Sequence, residues 1–134
     1  MRLVIDASVA IEIALAGGRL ENLAAHDLVA PTLLRSESTS ILAELAWRGA
    51  IPRVQARAAL DHLLAIPVRQ IDPDGHHARA WEVAESLGWA KTYDAEYVAL
   101  AIHEGAPLVT LDARLQRGAG RAATIIAPRD VPPA

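Results

Sequence analysis

The chain has 134 residues, and just over half of them are hydrophobic, so it can form one domain with a packed core. Its formal net charge of −3 excludes the strongly basic composition typical of nucleic-acid-binding domains, although a local basic surface stays compatible with that total. The absence of Cys excludes disulfides, thiolate nucleophiles and thiolate metal ligands, and the five His residues show no zinc-like spacing.

The start of the chain has no long apolar segment, because Met1 and Arg2 lead directly into a short predicted strand. No apolar stretch reaches the length of a membrane span. We therefore expect a soluble, cytoplasmic protein without membrane association, forming a single domain over residues 1–134. A loose tail is expected from about Pro128, because Pro132 and Pro133 follow it.

Predicted strands and helices alternate along the whole chain. In chain order, the strands are expected at residues 3–5, 28–30, 68–71, 108–111 and 124–127. Helices are expected at 8–16, 19–25, 31–48, 52–65, 74–87 and 93–103, with a short one after Asp112. This alternation predicts an α/β fold of three layers, α/β/α, with a central parallel sheet of about five strands.

Acidic residues lie where the predicted strands end. Asp6 ends the first strand and Asp112 follows the fourth, so both should lie along the edge where parallel strands carry ligand sites. Asp94 starts a helix whose apolar face should pack on the sheet, which turns its carboxylate inward. Glu37 lies in the first turns of the long helix that begins after Pro31. Glu44 follows two turns later on nearly the same line, and periodicity does not choose between the two glutamates.

Each of these acids also has a structural interpretation, since Asp6, Asp94 and Asp112 lie where helix caps and first-turn acids are favoured. Taken together, the acids favour a second interpretation, a metal-binding site. Carboxylates gathered in a partly apolar pocket raise each other's pKa, and a divalent cation removes that conflict. Oxygen ligands without sulfur or imidazole suit Mg²⁺ or Mn²⁺, which can activate water for attack on a phosphodiester.

Four segments in fixed order carry a resemblance to a known family. They read VIDAS at 4–8, APTLLRSE at 30–37, TYDAEYVALA at 92–101 and LVTLDARL at 108–115. With these motifs the chain resembles the PIN-domain family, specifically its VapC-type toxin ribonucleases of type II toxin–antitoxin systems.

The resemblance implies a function and a set of site residues. Asp6, Glu37, Asp94 and Asp112 would form the catalytic, metal-binding quartet of an endoribonuclease that uses Mg²⁺ or Mn²⁺. The substrate would be tRNA or rRNA, and the partners a cognate VapB-like antitoxin and a second copy in a homodimer. Ser8 and Thr110 match supporting hydroxyl positions or cap turns. Three cations near the acidic positions either contact RNA phosphates or are ordinary surface charges: Arg35, Lys91 and Arg114.

Other functions are compatible with a small α/β fold. One is a catalytically weak PIN-like binding module. A second is a receiver-type phosphoacceptor domain, but Asp72 is a poor acceptor and Lys91 is the single Lys of the chain. A haloacid-dehalogenase-like phosphatase would need Asp two residues after Asp6, where this sequence has Ser8.

Overall fold

A computed structural model describes residues 1–133 and shows five strands and six α-helices. The strands are β1 (Arg2–Ile5), β2 (Asp27–Ala30), β3 (Val68–Gln70), β4 (Leu108–Val109) and β5 (Ile125–Ile126). The helices are α1 (Ala7–Leu15), α2 (Leu33–Trp47), α3 (Arg53–Leu64), α4 (His76–Leu87), α5 (Tyr93–Glu104) and α6 (Ala113–Ala119). Two short 3₁₀ helices span Glu21–Ala25 and Pro128–Asp130.

The five strands form one parallel sheet in the order β3-β2-β1-β4-β5. The chain moves outward from β1 through β2 to β3, and then returns past β1 to form β4 and β5 on the other side. The strand order therefore reverses between β1 and β4. In open α/β sheets, ligands bind outside the carboxyl ends of the strands at such a switch point.

The central strands of the sheet are buried on both faces, as their continuous apolar residues predict. Leu3, Val4 and Ile5 are fully buried, and so are Leu108 and Val109 in the neighbouring strand. Helices α1, α2 and α3 pack on one another, while α4 packs on α5 and α5 packs on β1 and β4. The predicted three-layer α/β/α fold is confirmed.

Several predicted boundaries shift by one or two residues. Strands β4 and β5 are only two residues long. The Thr110 amide still donates a hydrogen bond to the carbonyl of Ile126, but Thr110 itself lies beyond the end of β4. Helix α4 begins at His76 and not at residue 74. The predicted glycine stops hold, for example at Gly88 and Gly105, which end α4 and α5 in the left-handed conformation.

The tail from Pro128 is held more firmly than the sequence predicts. The Asn22 side chain donates hydrogen bonds to the carbonyls of Pro128 and Val131, at 2.9 and 3.2 Å. Val131 is buried in the main core, and a His26 ring nitrogen lies 2.8 Å from Pro132 O. These contacts need a folded surface made by distant residues, which local sequence does not reveal. Within residues 1–133, no helix is both long and apolar enough to cross a bilayer.

Candidate active site

Two aspartates follow neighbouring strands at the point where the sheet order reverses. Strands β1 and β4 pair directly, with Ile5 opposite Val109. Asp6 then caps α1, accepting a hydrogen bond from Val9 N, and Asp112 caps α6, accepting one from Arg114 N. The capping interpretation is therefore correct for both residues, and it also fixes both carboxylates at the same end of the sheet.

The Asp6 carboxylate is buried and held by two hydroxyl groups. Ser8 Oγ donates to Asp6 Oδ1 over 2.6 Å, and Thr110 Oγ1 donates to Asp6 Oδ2. The same hydroxyls accept backbone amides from Leu111 and Asp112, both at 3.0 Å. Turn capping and carboxylate support are thus combined in Ser8 and Thr110. Burial raises the pKa of Asp6, and the two hydroxyl hydrogen bonds partly offset that rise.

Glu37, and not Glu44, reaches this end of the sheet. Glu37 is half-buried and its Oε1 accepts a hydrogen bond of 2.7 Å from Tyr97 Oη, whereas Glu44 is exposed to solvent. Burial raises the pKa of Glu37, the bond from Tyr97 lowers it, and the nearby charges of Asp94 and Asp6 raise it further. Glu37 is therefore close enough to Asp94 and Asp6 to interact with both electrostatically.

Tyr97 was not singled out from the sequence, but its side chain lines the same cavity as the four acids. Its side chain is 1% exposed, and burial together with the neighbouring Glu37 carboxylate raises its pKa. The available signal was the residue type, because a buried tyrosine hydroxyl needs a hydrogen-bond partner. Here that partner is Glu37, so Tyr97 orients the glutamate.

Asp94 differs from the other three acids in the bonding of its side chain. Thr92 is the N-cap residue of α5, so Asp94 lies in the first turn without capping the helix. Within residues 1–133 its carboxylate forms no hydrogen bond and no ion pair, although it is half-buried. Burial and the charge of Asp112 raise the pKa of Asp94. An inward carboxylate left without a partner favours a ligand-binding role over a structural one.

Asp112 is paired with a neighbouring cation. Arg114 Nη2 donates to Asp112 Oδ2 over 2.9 Å, and Arg114 Nε donates to Oδ1 over 3.3 Å. These hydrogen bonds lower the pKa of Asp112. Arg114 is 79% exposed, so the pair lies at the mouth of the site and not in its interior.

All four predicted acids line one cavity of about 430 Å³, together with Ser8, Tyr97 and Arg114. The predicted phosphate contacts divide into two groups. Lys91 and Arg114 line an adjoining cavity. Arg35, in α2, instead faces Gln70 of β3, and its Nε lies 2.7 Å from the oxygen of the Gln70 amide when that oxygen is turned toward it. The RNA-contact prediction for Arg35 therefore gains no support from its position.

The donor chemistry of the cavity suits a hard divalent cation, because four carboxylates converge there without sulfur or imidazole. Among residues 1–133, however, no three acidic or histidine side chains are already arranged to hold an ion. Asp6, Glu37 and Asp112 are each turned toward a protein partner. The residues thus fit the ion in type and location without forming a finished coordination shell.

The fold and this cavity define a class of protein, namely a parallel α/β domain with an acidic site at the switch point of its sheet. A model of the PIN domain family matches residues 3–121. Two curated relatives, a VapC ribonuclease of Mycobacterium bovis and ribonuclease VapC9 of Mycobacterium tuberculosis, are each 38% identical over 114 residues, which is 84% of this chain and 87% of theirs. The chain belongs to the PIN-domain family and is of the VapC type.

Solved structures agree with this assignment at the level of the fold. PAE2754 from Pyrobaculum aerophilum superposes with a TM-score of 0.68 at 23% identity, covering 93% of this chain and 92% of its own. VapBC2 from Rickettsia felis, bound to a DNA fragment from its promoter, gives 0.64 at 18% identity, with coverages of 93% and 97%.

Proposed function

We propose that this protein is an endoribonuclease dependent on Mg²⁺ or Mn²⁺ and the toxin of a VapBC-type pair. The observation that carries the proposal is the meeting of Asp6, Glu37, Asp94 and Asp112 around one cavity. The strongest single residue in support of the proposal is Asp94, whose carboxylate has no bonding partner within residues 1–133. The ribonuclease names of the 38% identical relatives support the activity.

The protein's own side chains divide the work of the site. Asp6, Glu37, Asp94 and Asp112 would hold the cation, which when bound would activate a water and neutralise charge on the phosphodiester. Ser8 and Thr110 fix the Asp6 carboxylate, and Tyr97 orients Glu37. These supporting bonds keep the carboxylates in place, as hydrogen bonds to the coordinating side chains do at metal sites.

The first test is metal-dependent RNA cleavage by the purified chain, freed of any antitoxin. Structured tRNA or rRNA should be cut when Mg²⁺ or Mn²⁺ is present, and EDTA should stop the reaction until excess metal restores it. Gel analysis of end-labelled RNA measures both steps. Cleavage that continues unchanged in EDTA would contradict the metal dependence of the proposal.

A catalytically weak binding module is the second candidate, and one observation favours it. The carboxylates are not preassembled into an ion-binding group within residues 1–133. The same assay separates the two candidates, because a binding module would leave RNA intact with every metal. Cleavage with either ion would reject it.

A toxin role makes a separate prediction in living cells. We propose that a VapB-like antitoxin covers the acidic cavity and that the toxin forms homodimers, in the cytoplasm and away from membranes. Induced expression should arrest bacterial growth, and co-expression of the small protein encoded next to it should restore growth. Colony counts after induction measure this. Normal growth at high expression would contradict the toxin role while leaving the nuclease activity standing.

A further inference from the structure

A second cavity of about 600 Å³ adjoins the acidic one and shares Glu37, Asp94 and Arg114 with it. It lies beside the loop that joins α4 to α5, and Trp89, Lys91 and Tyr93 form part of its lining. Its volume is in the range of small-molecule sites, about 300–1,000 Å³. A molecule that occupies both cavities would therefore run directly across Asp94.

The side chains of this second cavity offer an aromatic face beside positive charge. Tyr93 is 56% exposed, in contrast to the buried Tyr97 one turn later in α5. Lys91 is exposed and forms no ion pair with any residue of the described chain. Arg114 stands between the two cavities, bound to Asp112 on one side. A nucleotide needs this combination, a ring for its base and cations for its phosphate.

We infer that the second cavity is a subsite for one unpaired nucleotide of the RNA, with its base stacked on Tyr93 and its phosphate near Lys91 and Arg114. The inference rests on the proposed nuclease function and adds the residues that select the substrate. A nucleotide held there presents the next phosphodiester to the carboxylates, since Glu37 and Asp94 line both cavities. A base kept inside a duplex could not reach Tyr93, so duplex RNA should be excluded.

Trp89 provides a reporter for occupancy, because it lines the cavity while the other two tryptophans lie outside it. Trp47 and Trp81 are 85% and 64% exposed and line neither of the two cavities. A chain carrying Trp47→Phe, Trp81→Phe and Asp94→Asn should keep its fold, leave RNA uncut and emit only from Trp89. This chain is the parent for the binding measurements.

The probe is a dye-labelled, six-nucleotide single-stranded RNA, compared with its blunt duplex, in buffer with Mg²⁺. Anisotropy measures affinity, and Trp89 emission measures where the RNA binds. The single strand should bind saturably and change the Trp89 emission, whereas the duplex should bind at least about tenfold more weakly.

Two substitutions separate stacking from charge. Tyr93→Ala should weaken single-strand binding about tenfold at every salt concentration, and Tyr93→Phe should recover most of that loss because it keeps the ring. Lys91→Ala should weaken binding mainly at low salt and make the salt dependence shallower by about one counter-ion. Arg57→Ala, on the exposed surface of α3, is the matched control and should bind like the parent.

Unchanged affinity in both Tyr93→Ala and Lys91→Ala would overturn the subsite and leave the cavity as a surface for a protein partner. RNA binding without any change in Trp89 emission would also overturn it. The nuclease function is scored separately, on chains with the natural Asp94. If those chains cut RNA regardless of the residue at 93, the subsite fails while the function stands. If they cut no RNA but the Tyr93 and Lys91 effects on binding appear, the function fails while the nucleotide site stands.

Discussion

The Asp94→Asn variant is expected to cut RNA at least about a thousandfold more slowly than the wild type, equivalent to about 4 kcal/mol of transition-state stabilisation. The amide has nearly the same shape as the carboxylate, so packing is preserved while the negative charge is lost. Because Asp94 has no bonding partner within residues 1–133, no structural contact is broken by the change. Initial cleavage rates at saturating Mg²⁺ or Mn²⁺ measure the effect.

A matched control is available in Asp61, which is exposed on α3 and only weakly paired with Arg57 at 3.9 Å. Asp61→Asn should cut RNA at the wild-type rate. Circular dichroism should show the same fold in both variants. Equal cleavage by Asp94→Asn and the wild type would end the assignment of Asp94 to the catalytic site.

Asp94→Asn should also stabilise the metal-free protein against unfolding, because the pKa of Asp94 is raised in the folded state. Burial disfavours the ionised form in the folded state, so the unfavourable contribution grows as the pH rises above the ordinary value of 3.8 and is complete above the raised folded pKa. At pH 7 in EDTA, Asp94→Asn should therefore melt a few degrees higher than the wild type. The difference should vanish as the pH falls well below 3.8, where the carboxyl is protonated in both the folded and the unfolded state. A lower melting temperature at pH 7 would mean that the favourable first-turn charge outweighs burial.

The second large effect separates the two glutamates of α2. Glu37→Gln should lower the cleavage rate about a hundredfold, because it removes a ligand charge from the cavity while the amide oxygen can still accept the Tyr97 hydrogen bond. Glu44→Gln changes the same residue type in the same helix at an exposed position and should stay within about twofold of wild type. The comparison is made at fixed metal concentration on one RNA. Equal rates in the two variants would remove Glu37 from the ligand set.

The sequence predicted the site's location because that location follows from simple geometry. Parallel strands end at the same edge, so an Asp after each of two strands must lie along that edge. The direct pairing of β1 with β4 could not be predicted, because it depends on contacts between residues about a hundred positions apart. That pairing is what brings Asp6 and Asp112 together at the switch point.

Partnerships between distant side chains were also beyond sequence patterns. Tyr97 and Glu37 both lie on amphipathic helices, and periodicity identifies the buried face without identifying the partner across it. The buried pair of His76 and Glu96, 3.1 Å apart between α4 and α5, is a further example. Arg35 was proposed to contact RNA from its nearness in sequence to Glu37, but helical residues two positions apart point in different directions.

The central claim is that four carboxylates from distant segments bind one divalent-cation site, and direct binding of Mn²⁺ tests it without RNA. Electron paramagnetic resonance of free Mn²⁺ should show saturable binding to the wild type. Asp6→Asn and Asp94→Asn should each bind at least about tenfold more weakly, and Asp61→Asn should bind like the wild type. Mn²⁺ affinity that is the same in all four proteins would contradict the claim.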